Sequence, residues 1–182
     1  MIISGKVRLR EKKTSDAPND YSWRVDPELA ELDAVPPLNI SFTDYLQNYA
    51  FELKQPAATR RVFAIETLDG RHIGNGVYYN IDKLKSEAEL GIMIGDRDYW
   101  NKNYGTSAVN ALVEHIFCKT NFKRIYLKTL KSNFRAQACF LKCGFLPYEH
   151  SIREGFQFVL MELYRTSWAA SQHRTSGQVK YV

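Results

Sequence analysis

Polar and apolar residues alternate with a period of two at the start of the chain. In "GKVRLREKK", Val7, Leu9 and Glu11 alternate with Lys6, Arg8 and Arg10, which predicts a first strand. "TSDAPND" reads as a turn or helix entry, with Thr14, Ser15 or Asp16 as candidate caps. "YSWRVDPELAELDAVPP" predicts short helical pieces, broken at Pro27 and ended by Pro36-Pro37. A further helix starts at a Ser41 or Thr43 cap and puts Tyr45, Leu46, Tyr49 and Leu53 on one face.

Period two returns from residue 61. Val62, Ala64 and Glu66 alternate with Phe63, Ile65 and Thr67, and Asp69-Gly70 signals a type I′ turn into a return strand through Ile73, Gly76, Val77 and Tyr79. "EAELGIMIGDR" is apolar on both faces around residues 88 to 95, as a central strand would be. Ala108, Val109, Leu112, Val113, Ile116 and Phe117 then form the stripe of a helix packed on a sheet. "KRIYLKTL" predicts a strand near 124 to 130. "NFRAQACFLKCGF" predicts a helix with Ala136, Cys139, Phe140 and Cys143 on one face and Gly144 at its end. A hairpin turning near Glu154-Gly155 closes the pattern. The expected fold is α+β: a mixed, mostly antiparallel central sheet of six to seven strands flanked by helices, with one parallel crossover between residues 88 and 130. Residues 1–165 read as a single domain, and 166–182 as a polar tail or an added segment.

Composition narrows the class. The 182 residues are 45% hydrophobic and 25% charged, the balance of a soluble globular domain with a real core. The net charge of +5 (pI near 9.0) is scattered, so no basic arm for nucleic acid stands out. Cys118, Cys139 and Cys143 lack C-x-x-C spacing and fall in helical apolar patterns, which argues for buried thiols over a disulfide framework or zinc site. The four histidines form no metal-ligand motif. No apolar run reaches the roughly 20 residues of a membrane span, and "MIISGKVRLREKK" has no secretory core, so the expected setting is the cytoplasm.

One stretch carries chemistry. In "DYWNKNYGTSAVNALVEHIF", Asn101, Lys102, Asn103 and Gly105 stand at the mouth of a helix. Small, turn-tolerant residues and several free N–H groups there suit a phosphate, although a plain helix cap would also use them. Neither G-x-x-x-x-G-K-[ST] nor a dinucleotide G-x-G-x-x-G is present.

Taken in order, "AELGIMIG", "YWNKNYGTSAVNAL" and "NFRAQACFLKCGF" make the sequence resemble the GNAT superfamily of acyl-CoA-dependent N-acetyltransferases over about residues 60 to 162. Trp100, Lys102, Tyr104, Gly105, Thr106 and Ala108 match the loop W-G-K-G-Y-G-T-E-A of the RimJ/RimL-like branch, which includes the ribosomal-protein N-terminal acetyltransferases. Asn101 and Asn103 replace glycines and Ser107 replaces glutamate. Asparagine tolerates left-handed backbone best among non-glycine residues, so the loop shape can survive. The resemblance implies a GNAT-like fold in which a splayed strand pair forms the acetyl-CoA cleft. The amides of Asn101, Lys102, Asn103, Tyr104, Gly105 and Thr106 would hold the pyrophosphate, and the backbone of Ile92, Met93 and Ile94 would hold the pantetheine arm, with the Met93 N–H polarising the thioester. Glu89, sixteen positions before Gly105, would act as general base or else be an ordinary strand charge. Asn133 would contact pantetheine or simply cap its helix. Phe140 stands where many members carry the tyrosine that protonates the leaving thiolate, leaving Tyr148 and Cys139 as substitutes by proximity in sequence.

The implied reaction is acetyl transfer from acetyl-CoA to a primary amine, a protein N-terminus or a small molecule, by direct attack in a ternary complex. The two asparagines and Phe140 leave a second reading open: a CoA-binding regulatory module with little catalysis. No nucleic acid or membrane partner is implied, and a homodimer, common in the family, is open. Asp16, Asp20, Glu28, Glu31 and Asp33 give the first helical region an acidic character that suits a cationic amine or a solvated face. Trp23 and Tyr45 would line the acceptor pocket or fill the core.

Overall fold

A computed structural model describes residues 2–176. Eight strands form one sheet: β1 (Ile2–Ser4), β2 (Val7–Glu11), β3 (Arg61–Thr67), β4 (His72–Asp82), β5 (Glu87–Ile94), β6 (Arg124–Leu130), β7 (Leu146–Arg153) and β8 (Phe156–Tyr164). Their spatial order is β1-β2-β3-β4-β5-β6-β8-β7, and the β5–β6 pair is parallel while all others are antiparallel. The sheet therefore exceeds the expected six to seven strands. The strand that sequence periodicity misses is β1, which is too short to show an alternation and exists by pairing with β2.

Six helices flank the sheet: α1 (Ala17–Val25), α2 (Pro27–Leu32), α3 (Phe42–Lys54), α4 (Tyr104–Lys119), α5 (Phe134–Lys142) and α6 (Arg165–Ser176). Ser41 caps α3 by accepting from the Asp44 N–H. The whole predicted stripe of α4 is buried against the sheet, with Ile65, Ile73, Ile125 and Leu127 among its partners in the core. Cys118 lies off that stripe and is exposed, which corrects the expectation that all three thiols are buried; Cys139 and Cys143 are half-buried. The β3–β4 turn also differs from type I′. Gly70 has φ +95° but Asp69 does not have positive φ, and the Gly70 N–H donates to Thr67 C=O at 3.0 Å.

Residues 165–176 continue as a docked helix. Trp168 packs on Phe117 with ring centroids 5.3 Å apart, and the Arg165 guanidinium donates to the carbonyls of Phe117, Phe122 and Thr120. The remainder of the predicted tail, 177–182, lies outside the described residues. No helix among the described residues is long and apolar enough to cross a membrane.

A buried polar cluster ties α1 and α3 to the sheet. Arg10 grips Asp16 at 2.7 and 2.8 Å, Lys12 reaches Asp20 at 2.6 Å, and the Tyr49 hydroxyl donates to Asp20 at 2.8 Å. Each buried carboxylate thus has a cationic partner, without which its burial would be prohibitive. Asp16 and Asp20 are therefore structural and do not make an acidic acceptor face. Trp23 fills the core beside His72, ring centroids 4.9 Å apart, and Tyr45 packs between Tyr21 and Tyr49.

Candidate active site

The sheet opens where the sequence pattern places its central strand. β5 and β6 pair only at Glu87↔Arg124, Ala88↔Ile125 and Glu89↔Tyr126, then diverge. A groove of about 520 Å³ fills the gap, walled by residues 90–94 of β5, the end of β6, the start of α4 and one face of α5.

The pairing of β4 with β5 decides which β5 amides face that groove. Gly95 N–H donates to Ile73 C=O at 2.9 Å, and the register runs unbroken from Tyr79↔Glu89 to Gly74↔Ile94. Antiparallel ladders alternate between residues that exchange bonds with the partner and residues that point away. Glu89, Gly91 and Met93 therefore bond toward β4, while Leu90, Ile92 and Ile94 direct their backbone groups to the open side. The Met93 carbonyl lies so close over Gly74 that a β-carbon on Gly74 would meet it at 2.1 Å. Met93 lines the groove, but its N–H is turned toward β4, so the structure does not bear out Met93 as a thioester donor; the amides on the open side are those of Leu90, Ile92 and Ile94.

At one end of the groove stands the loop before α4. Asn101 and Asn103 adopt φ +57° and +65°, the left-handed backbone for which asparagine substitutes for glycine. The first bond of α4 runs from Ser107 N–H to Asn103 C=O at 3.0 Å, and the amides of residues 101 to 106 have no protein acceptor among the described residues. Asn101, Asn103, Gly105 and Thr106 line the groove. Lys102 and Tyr104 direct their side chains elsewhere. Lys102 is exposed, its carbonyl accepting from Lys6 Nζ at 3.1 Å, and the Tyr104 ring stacks edge-on against Tyr99. The Trp100 indole N–H donates to Ile94 C=O at 2.6 Å, which fastens the loop to the free strand edge. The Arg135 guanidinium carbon lies 3.4 Å from the Trp100 ring centroid, and among the described residues Arg135 forms no ion pair within 4 Å, feeling Glu28 only at longer range. Burial is the main pull that holds Arg135 below its ordinary pKa. Free amides and a cation with no close ion pair give this end a character that suits an anion.

Asn133 lines the groove and also caps α5, accepting from the Ala136 N–H at 3.1 Å, so both sequence alternatives coexist. Phe140 is buried on the groove wall and offers no proton. Of the two substitutes for it, Tyr148 lies over Arg124, away from the groove, whereas Cys139 lines it and contacts Thr106 Oγ1 at 3.6 Å. Cys143 Sγ donates to the Thr106 carbonyl at 3.7 Å, and the interaction between the two neighbouring thiols holds the Cys139 pKa below its usual value and pushes that of Cys143 upward.

Glu89 is 5% exposed and does not line the groove. Its oxygens accept from the Tyr79 hydroxyl at 2.7 Å and Asn80 Nδ2 at 2.9 Å, and Lys128 Nζ stands 3.7 Å away. Burial and then the Glu89 bond raise the Tyr79 pKa, so the phenol stays a donor. The carboxylate that does line this end is Asp33, just beyond α2. Partial burial pushes its pKa above the usual carboxylate value, against the pull of Arg24 and Lys128, while about half of the side chain (49%) stays exposed. Asp33 was only one of several acidic residues in the sequence, and Tyr79, Lys128 and Arg135 carried no motif; nothing short of the fold brings them to one groove.

A splayed parallel strand pair, a free strand edge and an open helix N-terminus on one groove define an acyltransferase that takes its acyl group from a CoA thioester. Residues 6–146 match the acetyltransferase (GNAT) domain family, and the chain belongs to it: it is an N-acetyltransferase whose cofactor is acetyl-CoA. The chain is 26% identical over 137 residues to an uncharacterised N-acetyltransferase, p20, of Bacillus licheniformis, covering 72% of this chain and 74% of that one. Among solved structures it resembles a spermidine N-acetyltransferase from Vibrio cholerae in complex with CoA and spermine (TM-score 0.80, 19% identity, 90% and 98% of the two chains). It also resembles aminoglycoside acetyltransferase AAC(6')-Ib in complex with coenzyme A (TM-score 0.75, 21% identity, 91% and 99%).

Proposed function

We propose that the enzyme transfers the acetyl group of acetyl-CoA to a primary amine by direct attack within a ternary complex, the amine belonging to a small molecule or a protein N-terminus. The observation that carries this reading is the set of unbonded amides from residue 101 to 106 at one end of a groove whose other wall is the free edge of β5. The amides and Arg135 suit the diphosphate, and the backbone of Ile92 and Ile94 suits the pantetheine arm. Bound there, acetyl-CoA supplies an acetyl thioester. The chain supplies the Ile92 N–H to stabilise negative charge on the thioester oxygen and the Asp33 carboxylate to take the proton of the incoming ammonium. Glu89 acts at one remove, orienting Tyr79 and Lys128. The loop match to the RimJ/RimL-like branch supports an acceptor of the N-terminal amine type, and the likeness to spermidine and aminoglycoside enzymes supports small amines. Isothermal titration with acetyl-CoA and CoA tests the reading: saturable binding is expected, and no heat at high micromolar ligand would overturn it.

A further inference from the structure

The acceptor end of the groove holds two opposite charges that no protein group hydrogen-bonds. The Asp33 side chain is 49% exposed, and its cation, Arg24 Nη1, stands 3.5 Å from Oδ2 without a hydrogen bond. Lys128 is 40% exposed, and the carboxylate 3.7 Å from it, Glu89, is already satisfied by Tyr79 and Asn80. Lys128 is thus a counter-charge to Glu89 that makes no hydrogen bond to it, and its ammonium donors stay open on the groove wall. Asp33 and Lys128 feel each other's charge but do not pair. The neighbouring wall at Leu32, Val35 and Phe158 is apolar.

The charge balance here argues against a polycation. Asp33 and Glu89 are matched by Arg24 and Lys128, so no surplus of carboxylates awaits a polyamine or amino sugar, and Lys128 would repel one. Unbonded groups of both signs beside an apolar wall ask for a ligand that carries both signs and an apolar body.

We propose that the acceptor is a zwitterionic amine of the α-amino acid type with an apolar side chain. This rests on the acetyl-CoA reading above. The ammonium meets Asp33, the carboxylate meets Lys128, and the side chain lies against Leu32, Val35 and Phe158. In the reaction the ammonium passes one proton to Asp33. The freed nitrogen lone pair forms the N–C bond to the acetyl carbon as the C–S bond breaks, and its electron pair leaves on the CoA sulfur. The second nitrogen proton lost from the adduct balances that thiolate as CoA thiol.

The test uses the full chain with acetyl-CoA, reading CoA release with L-leucine, L-leucinamide, spermidine and kanamycin, beside calorimetric acetyl-CoA binding in the same preparation. Leucine should exceed spermidine and kanamycin in kcat/KM by about tenfold or more, and Lys128→Met should lower the leucine-to-leucinamide ratio by about tenfold. Lys128→Arg, which keeps the charge, should preserve more of that ratio than Lys128→Met and guards against a folding artefact. A preference for spermidine or kanamycin, a ratio unmoved by Lys128→Met, or no leucine turnover by protein that binds acetyl-CoA would overturn the proposal. Absence of acetyl-CoA binding would instead remove the reading on which it rests, and the proposal with it.

Discussion

The indole N–H of Trp100 donates to the main-chain carbonyl of Ile94 at 2.6 Å, joining the loop before α4 to the free edge of β5. One side chain thus sets the spacing between the amides that suit a diphosphate and the strand that suits a pantetheine arm. Trp100→Phe keeps a ring under Arg135 but deletes the donor. Losing one such bond removes about 0.5–1.5 kcal/mol, so acetyl-CoA should bind roughly two- to twelvefold more weakly. Calorimetric titration of both proteins checks this, and an unchanged Kd would show that the loop holds its place without Trp100.

Asn103 has φ +65° at the N-terminus of α4. A β-carbon without a helpful amide is disfavoured there by roughly 1–2 kcal/mol. Asn103→Ala should therefore lower Tm by about 2–8 °C for a chain of this size. Asn103→Gly should shift it less, and should bind acetyl-CoA at least as tightly because bulk leaves the anion site. Thermal unfolding and titration of the two variants give the comparison. Equal Tm losses in both would mean that the asparagine side chain, not its backbone tolerance, matters here.

His72 contributes a pH dependence of stability. Its ring is buried, Nε2 lies 2.9 Å from Gly74 C=O, and Nδ1 has no hydrogen bond, 3.7 Å from Asp16. Burial first, then the Lys12 charge, lowers its pKa from 6.5. As pH falls through that value the unfolded chain takes up a proton that the folded one refuses, so stability drops, by at most about 1.4 kcal/mol per pH unit. The loss ends once pH passes the depressed folded value. Asp16 acts further down. Burial would raise its pKa, but the bonds from Arg10 and the Lys13 N–H hold it below 3.8, so its stabilisation is present above that value and fades as pH falls through the folded one. Urea unfolding from about pH 7.5 to 5 should show the slope in the parent chain and a shallower one in His72→Gln. Identical slopes would assign the acid sensitivity elsewhere.

How much of this was legible in the sequence follows from the range of each interaction. The α4 stripe and the asparagine loop are local, set by helical period and by what one residue's φ tolerates, and both read directly. The Met93 assignment failed for a different reason. A period of two tells which side chains share a face, but the direction of an N–H is set by the partner strand, here through the Gly95–Ile73 bond. Asp33 and Lys128 are brought together by the crossover of the sheet, and no pattern along the chain links them. β1 leaves no signal because three residues carry no period, and Cys118 is exposed because an apolar run need not all lie on one stripe.

On the proposed mechanism Asp33, and not Glu89, takes the proton of the incoming ammonium. Asp33 lines the groove without a hydrogen bond, and its surroundings raise its pKa, which makes it a better proton acceptor at neutral pH. Glu89 is buried behind Tyr79 with both oxygens occupied. Asp33→Asn should then lower kcat/KM by about a hundredfold or more and remove the acidic limb of the pH–rate profile, because a general base contributes roughly 10²- to 10⁴-fold. Glu89→Gln keeps an acceptor for Tyr79, so the acidic limb should survive at a rate reduced by only about tenfold. Tyr79→Phe should resemble Glu89→Gln if the pair acts by holding the groove wall in place. Steady-state kinetics across the pH range, with the best amine of the acceptor panel, separate the cases. A lost acidic limb in Glu89→Gln and an intact one in Asp33→Asn would return the base to Glu89 and require Tyr79 to swing aside before the amine can reach it.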